Sequence, residues 1–187
     1  APQGLEPADQ KRFQRAVERC LSIRDRAIAT LFLYTGLRLG ELAALDLDDV
    51  LLSARKGLVI VRSGKGDSYR EVPLNSEARR TLEAWLAERG KRTVGQGERA
   101  LFVGRRGGRL STRAIDLLIR GLARDAGLDL SSHTLRHTCF TNLVRGGNDI
   151  VMVAEIAGHR RLETTRRYSL PSAADRQAAM ERLKVEY

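Results

Sequence analysis

The stretch SHTLRH, at residues 132–137, brings two histidines and an arginine to the start of a predicted helix. Serine is a favoured N-cap, so Ser131 or Ser132 is predicted to begin a helix over residues 133–144. An apolar stripe with helical spacing follows at Leu135, Cys139 and Leu143. His133 and Arg136 lie three residues apart, and we expect this polar pair to face away from the stripe. In isolation, such a pair is typical of a helix surface.

Two later positions bring phosphate chemistry into consideration. His159 follows Gly158, and Tyr168 lies among arginines. A phenol has a pKa of about 10, so only roughly one in a thousand is ionised near neutrality, and cations or a base must help it to attack. Arg136, His133 and His159 are candidates to do so. Tyr168 is therefore the candidate nucleophile. The other tyrosines are interpreted as packing or terminal residues: Tyr34, Tyr69 and Tyr187.

The composition and net charge indicate which class of molecule this chain binds. With 187 residues, of which 42% are hydrophobic, the chain is long enough for one domain with a sizeable core. Its 33 lysines and arginines against 23 acidic residues give a net charge of +10, which attracts polyanions such as nucleic acid. Charge alone favours this interpretation and a merely solubilising surface equally.

The cysteines and the apolar runs indicate the compartment. Cys20 and Cys139 are far apart and predict neither a disulfide scaffold nor a thiolate metal cluster, which suits a reducing cytoplasm. The longest apolar run, residues 27–37, is too short to span a bilayer, so we expect no membrane partner. The chain begins with Ala1 and lacks an initiating Met, which indicates a processed product or a fragment of a longer protein, and we favour the fragment.

Hydrophobic periodicity and chain breakers predict a mainly α fold with a small antiparallel β-sheet, an α+β class. Helices are expected over residues 7–20, 22–35, 39–45, 76–89, 111–126, 133–144, 149–157 and 173–184. Two strands, residues 57–62 and 69–74, flank a glycine-rich turn that carries Lys65 at its tip.

Two further polar groups have competing interpretations. In TGLRLGEL, residues 35–42, Glu41 is spaced to orient Arg38, although a structural salt bridge explains the same spacing. His137 follows His133 by four residues, which raises a zinc site. Thr134 replaces the glutamate of a metalloprotease helix and Arg136 would repel a dication, so we favour phosphate chemistry and expect His137 to hydrogen-bond within the core.

A basic loop, GRRGGR at residues 104–109, is interpreted equally well as a phosphate-backbone contact or as a solvated loop. Its candidate DNA-binding side chains are Arg105, Arg106 and Arg109.

Four motifs in order resemble the catalytic domain of the tyrosine recombinase (phage integrase) family over about residues 5–170. They are TGLRLGEL around Arg38, GKGxxxREVPL around Lys65, HTLRH from His133, and GHxxxxTTxxY from Gly158 to Tyr168. The resemblance implies that fold, and one active site made of Arg38, Lys65, His133, Arg136, His159 and Tyr168. It also implies a 3′-phosphotyrosyl intermediate, without metal or cofactor. Glu41 and His137 would support the site, and Arg160 and Arg161 would add to the DNA contacts.

The resemblance also implies an organisation. Residues 1–171 would form the catalytic DNA breaking-rejoining domain and residues 172–187 a helical tail, packing in cis or in trans. We expect this chain to lack the family's N-terminal core-binding domain, and its DNA affinity to be reduced for that reason. The expected partner is double-stranded DNA at specific sites, bound by a homotetramer of the full-length protein in the cytoplasm, on the nucleoid.

The motifs leave the biological role open among integration, excision, dimer resolution and transposition. The target sequence, accessory factors and the oligomeric state of this chain are equally open. Rival functions are DNA relaxation of the type IB topoisomerase kind, a catalytically silent DNA-binding module, and a three-histidine metallohydrolase.

Overall fold

The computed structural model describes residues 4–62, 69–159, 164–165 and 173–182. The helices in these ranges are α1 Pro7–Arg19, α2 Ile23–Thr35, α3 Leu39–Ala44, α4 Ser76–Gly90, α5 Thr112–Asp125, α6 Ser132–Arg145, α7 Ile150–Ala157 and α8 Ala173–Glu181. The strands are β1 Val50–Leu52, β2 Gly57–Val61 and β3 Arg70–Pro73. The structure confirms the predicted class, a mainly helical chain with a small antiparallel sheet.

Helix α2 forms the centre of the core. It is apolar on nearly all sides, and a helix of that kind is stable only when other elements surround it. Residues 27–32 are all buried, and α4 and α6 pack against the helix. From α4, Trp85 stacks on Phe102 with ring centroids 6.0 Å apart. The indole nitrogen of Trp85 donates to the Leu101 carbonyl at 2.9 Å, so this buried side chain keeps a polar partner.

The sheet has the order β1-β2-β3, with both pairs antiparallel. Val59 faces Val50 on one side and Val72 on the other. Strand β1 was not predicted. It has three residues, which is too short for an alternating pattern, and a one-turn 3-10 helix at Leu47–Asp49 leads into it. No helix in the described ranges is long and apolar enough to cross a membrane.

Three helix ends bring the predicted motifs together. The backbone N–H of Arg38, just before α3, donates to Glu41 at 2.7 Å. Ser131 caps α6 as predicted, its hydroxyl accepting from the Thr134 N–H. Helix α7 ends at Gly158, whose φ of 65° is left-handed and turns the chain toward His159. The helix starts and the helix end are defined by local chemistry, and packing then makes them neighbours.

We predict that Gly36→Ala destabilises the fold strongly. Gly36 ends α2 with φ 59°, and a Cβ there would lie 2.5 Å from Cζ of Phe140. Left-handed strain and overpacking together should cost about 2 to 4 kcal/mol in the free energy of unfolding, measured by urea denaturation. Gly40→Ala is the matched control, because a Cβ at Gly40 meets nothing within 4 Å. Equal stability of the two variants would contradict the prediction.

Candidate functional site

Arg136 lies at the centre of the site. Its Nη1 donates to the carbonyl of Gly36, and its Nη2 donates to the carbonyl of Ala157 at 2.9 Å. The guanidinium carbon lies 4.7 Å from the centroid of the Phe140 ring, a cation-π distance. The side chain therefore joins the end of α2 to the end of α7.

The burial of Arg136 corrects one expectation. We expected this residue to share an exposed helix face with His133, yet Arg136 is only 6% exposed, whereas His133 is exposed. Helix-end carbonyls have no intrahelical donor, and a guanidinium that satisfies them is stable in a buried position. Cys139 belongs to the buried side as predicted, with Leu143 partly buried at the edge of a second apolar cluster.

His159 is held beside Arg136. Its Nε2 lies 3.2 Å from Nη2 of Arg136, and its Nδ1 lies 2.8 Å from the hydroxyl of Thr165, which is fully buried. The two ring nitrogens thus face a cation and a hydroxyl. These two contacts fix the orientation of the imidazole next to the guanidinium.

The other two histidines lie along α6. His133 is exposed in the first turn of the helix, one turn before Arg136. His137 is half-buried, and its Nδ1 lies 3.4 Å from the Thr141 hydroxyl. Among the described side chains, no group of three or more His, Cys, Asp or Glu residues is arranged to hold a metal ion.

Arg38 is the N-cap residue of α3 and forms the predicted pair with Glu41. Its Nη1 lies 2.7 Å from Oε1 of Glu41, and its side chain is 47% exposed while that of Glu41 is 13% exposed. The carbonyl that accepts from Arg136 belongs to Gly36, two residues before Arg38. The guanidinium of Arg38 is therefore partly exposed to solvent, and its backbone lies two residues after the carbonyl that the buried Arg136 binds.

Glu41 is the most perturbed acid of the site. Burial by itself would raise the pKa of Glu41, but hydrogen bonds from Arg70 and from the Arg38 backbone outweigh it and lower the pKa to about 2. The usual value is 4.5. A carboxyl whose pKa is lower in the folded state stabilises the fold above its unfolded pKa and loses that contribution as pH falls.

We predict that Glu41→Gln destabilises the protein most above pH 4.5, and that the difference from wild type narrows as pH falls to about 2. The shift corresponds to about 3 kcal/mol at most in the free energy of unfolding near pH 6. Urea denaturation of both proteins at several pH values measures it. Glu77→Gln breaks an exposed pair with Arg80 and should cost under about 1 kcal/mol. A pH-independent difference for Glu41→Gln would contradict the prediction.

The basic loop divides into two parts. Arg105 and Arg106 are exposed at the tip of a turn that a bridge between Val103 and Arg109 closes. Arg109 itself forms an ion pair with Asp46 and donates to carbonyls at the end of α3, those of Ala43 and Leu45. Its guanidinium thus has partners within the protein, and a role of Arg105, Arg106 and Arg109 in DNA binding stays a prediction.

Four predicted site residues lie outside the described residues: Lys65, Arg160, Arg161 and Tyr168. The strands on either side of the Lys65 segment are described. Arg62 follows β2 and pairs with the buried Asp49 at 2.6 Å, and Arg70 begins β3. Both flanks of the segment are therefore tied to the body of the domain.

The interpretation of two other tyrosines as packing residues was wrong. Tyr34 is 36% and Tyr69 is 60% exposed. The Tyr69 hydroxyl donates to Glu71 at 2.9 Å, and this hydrogen bond raises the pKa of Tyr69.

Arg70 is the residue of this site that sequence reasoning missed. It is 8% exposed, and its Nη1 and Nη2 donate to the two carboxylate oxygens of Glu41 at 3.0 and 2.8 Å. The motif GKGxxxREVPL contains it, but an arginine at the start of a strand gave no local signal of a partner 29 positions earlier.

Known proteins similar to this chain define its class. Residues 3–174 match the phage integrase family, and the chain belongs to that family. It is 44% identical over 147 residues to tyrosine recombinase XerC of Azotobacter vinelandii, an alignment that covers 78% of this chain and 48% of that protein. The chain spans about half the length of the curated relatives it matches.

Two solved structures share the fold. The crystal structure of XerA recombinase aligns with a TM-score of 0.83 at 32% identity, over 98% of this chain and 66% of that chain. The XerH site-specific recombinase bound to difH substrate in a pre-cleavage complex aligns with a TM-score of 0.84 at 25% identity, over 99% of this chain and 55% of that one. The predicted recombinase catalytic-domain fold is thereby confirmed.

Proposed function

We propose that this chain is the catalytic part of a site-specific DNA recombinase that cuts and rejoins DNA through a 3′-phosphotyrosyl intermediate. The observation that carries the proposal is the arrangement around Arg136. A buried guanidinium, a histidine oriented beside it and the exposed Arg38 come from three separated motifs and lie around the ends of α2 and α7. Such an arrangement suits an anion with several oxygens, and a DNA phosphodiester fits the net charge of +10.

In the proposed reaction, the Tyr168 oxygen attacks the phosphorus while the bond from phosphorus to the 5′ oxygen breaks. His133 accepts the tyrosine proton, and Lys65 protonates the leaving 5′ oxygen. Arg38 and Arg136 bind the non-bridging oxygens and stabilise the charge that develops on them, and His159 donates to one of these oxygens. The phosphotyrosine conserves the bond energy, so a partner strand's 5′-hydroxyl can reverse the reaction without ATP.

The supporting roles follow from the same reaction. Glu41 orients Arg38, and His137 braces α6. The proposed contacts with the DNA backbone, which position a duplex without reading its sequence, come from Arg105, Arg106, Arg109, Arg160 and Arg161. We further propose that the full-length protein acts as a homotetramer on DNA, in the cytoplasm and on the nucleoid. The domain extends to residue 171, and the segment from residue 172 serves as a tail that docks on a neighbouring protomer.

The test is strand exchange between two duplexes. The chain is incubated, without divalent metal or ATP, with a pool of labelled nicked duplexes whose central segment is randomised. Captured sequences are then supplied on two duplexes of different length. A covalent adduct on a denaturing gel, together with strands of recombinant length, is the expected result.

Each other outcome has a meaning. Adduct formation and relaxation of supercoiled DNA, with no strand exchange by the full-length protein, would replace the proposal with a topoisomerase-like activity. Binding in a mobility-shift assay with no adduct would favour a catalytically silent DNA-binding module. Loss of adduct formation on chelation would favour metal-dependent chemistry.

A further inference from the structure

Arg70 uses its whole guanidinium inside the protein. Its Nε donates to the carbonyl of Ile156 at 3.0 Å, and its two terminal nitrogens donate to the two oxygens of Glu41. A planar fork that binds both oxygens of a carboxylate fixes the orientation of that carboxylate better than one point charge does. At 8% exposure, the side chain is not placed to contact a DNA backbone.

Glu41 is shared between two arginines. Oε1 accepts from Nη1 of Arg38 at 2.7 Å as well as from Arg70, and Oε2 accepts from the Arg38 backbone N–H at 2.7 Å as well as from Arg70. Two guanidinium groups and one carboxylate leave a net charge of +1 on the trio. Without Arg70, the carboxylate would neutralise Arg38, and the phosphate would face a neutral pair.

The other contact of Arg70 reaches the second half of the site. Ile156, whose carbonyl it binds, precedes Ala157, whose carbonyl binds Arg136. Gly158 lies directly against Arg70, since a Cβ there would be 2.9 Å from Nη1. One side chain thus contacts the carboxylate that holds Arg38 and the helix end that holds Arg136 and His159.

We propose that Arg70 is a positioning residue of the cleavage reaction: it acts through Glu41 to aim the guanidinium of Arg38 at the scissile phosphate. This inference rests on the proposed function. Arg70 lies five residues after Lys65 and begins the strand that follows the lysine segment. The strand that follows the lysine segment therefore begins with a residue that binds Glu41, the carboxylate that pairs with Arg38.

The experiment compares adduct formation by wild type, Arg70→Gln and Arg70→Lys on the nicked duplex that wild type captures best. Both variants are expected to lower the cleavage rate at saturating DNA by about 10- to 100-fold, as loss of an orienting partner does elsewhere, with DNA affinity within about threefold of wild type. Arg70→Lys keeps the charge but not the fork, so a loss in this variant assigns the effect to geometry.

The matched control is Arg89→Gln. Arg89 is 7% exposed, and its guanidinium donates to the carbonyls of Ala100 and Glu98 rather than to a catalytic residue. It should lower the thermal midpoint as Arg70→Gln does, yet leave the cleavage rate of the folded protein within about threefold of wild type. Rates are compared at a temperature where circular dichroism shows every variant folded.

A double-mutant cycle isolates the route through Glu41. The double variant Glu41→Gln, Arg70→Gln should cleave no more slowly than Arg70→Gln alone. Both substitutions break the same connection, from Arg70 through Glu41 to Arg38. The combination of Arg70→Gln with Arg89→Gln should be additive. If wild type forms the adduct and Arg70→Gln matches its rate, or if the Glu41 and Arg70 losses simply add, the inference is wrong while the proposed function stands. If wild type forms no adduct, the proposed function itself fails.

Discussion

Replacing Tyr168 with phenylalanine is expected to abolish the covalent protein–DNA adduct. Phenylalanine lacks the oxygen that forms the bond to phosphorus, and no other group in the proposed reaction can replace it. Affinity for the same duplex should stay within about threefold of wild type, because one hydroxyl contributes little beside many phosphate contacts. A denaturing gel measures the adduct, and a mobility-shift assay measures binding.

The matched controls are Tyr34→Phe and Tyr69→Phe. Both side chains are partly or largely exposed, and each hydroxyl has a protein partner, Gln14 and Glu71 respectively. Both variants should form the adduct at the wild-type rate. An adduct retained by Tyr168→Phe would remove Tyr168 as nucleophile, and mass spectrometry of the linked peptide would identify the residue that attacks instead.

The second large effect is expected for Arg136→Lys. A lysine cannot reach the carbonyls of Gly36 and Ala157 together while also binding a phosphate, because its ammonium is a single point of charge. Removing one preorganised donor to a developing negative charge costs about 100- to 1000-fold in rate, and we expect a loss of this size in adduct formation. The substitution should also leave a buried carbonyl without its hydrogen-bond donor, which lowers the free energy of unfolding by about 1 to 3 kcal/mol.

Arg145→Lys is the control for this substitution. Arg145 is exposed in the last turn of the same helix, so its replacement preserves charge without touching the site. Single-turnover adduct formation at saturating DNA separates the chemical step from binding. Cleavage by Arg136→Lys within threefold of Arg145→Lys would show that Arg136 has only a structural role.

Much of the fold was predictable because its signals are local. The caps Ser131 and Asp149 and the glycines after α2 and α7 lie within a few residues of the helix ends that they define. Predicted helix bounds agree with the structure to within a few residues. Strand β1 was missed because a three-residue strand is defined by its partner β2, and that pairing is not a local property.

The motifs predicted which residues belong to the candidate site better than they predicted how those residues are arranged. The motifs identified Arg38, Glu41, Arg136 and His159, and the structure brings these four together. The helical spacing predicted that Arg136 faces away from the apolar stripe, and it is buried instead, which a charged side chain rarely is unless other groups satisfy it. The groups that do so are carbonyls 100 and 21 positions away in the chain.

The sequence by itself determined the class of fold, the family and the chemical types of the site residues, because these depend on periodicity, on caps and on motif spacing. Only the tertiary structure decided which charges are buried and which are shared. Arg109 is held by the end of α3, and Arg70 joins Glu41 to the end of α7. Backbone carbonyls at helix ends and the carboxylate of Glu41 accept hydrogen bonds from whichever donors lie close in space. Those donors are distant in the sequence, so only folding makes them neighbours.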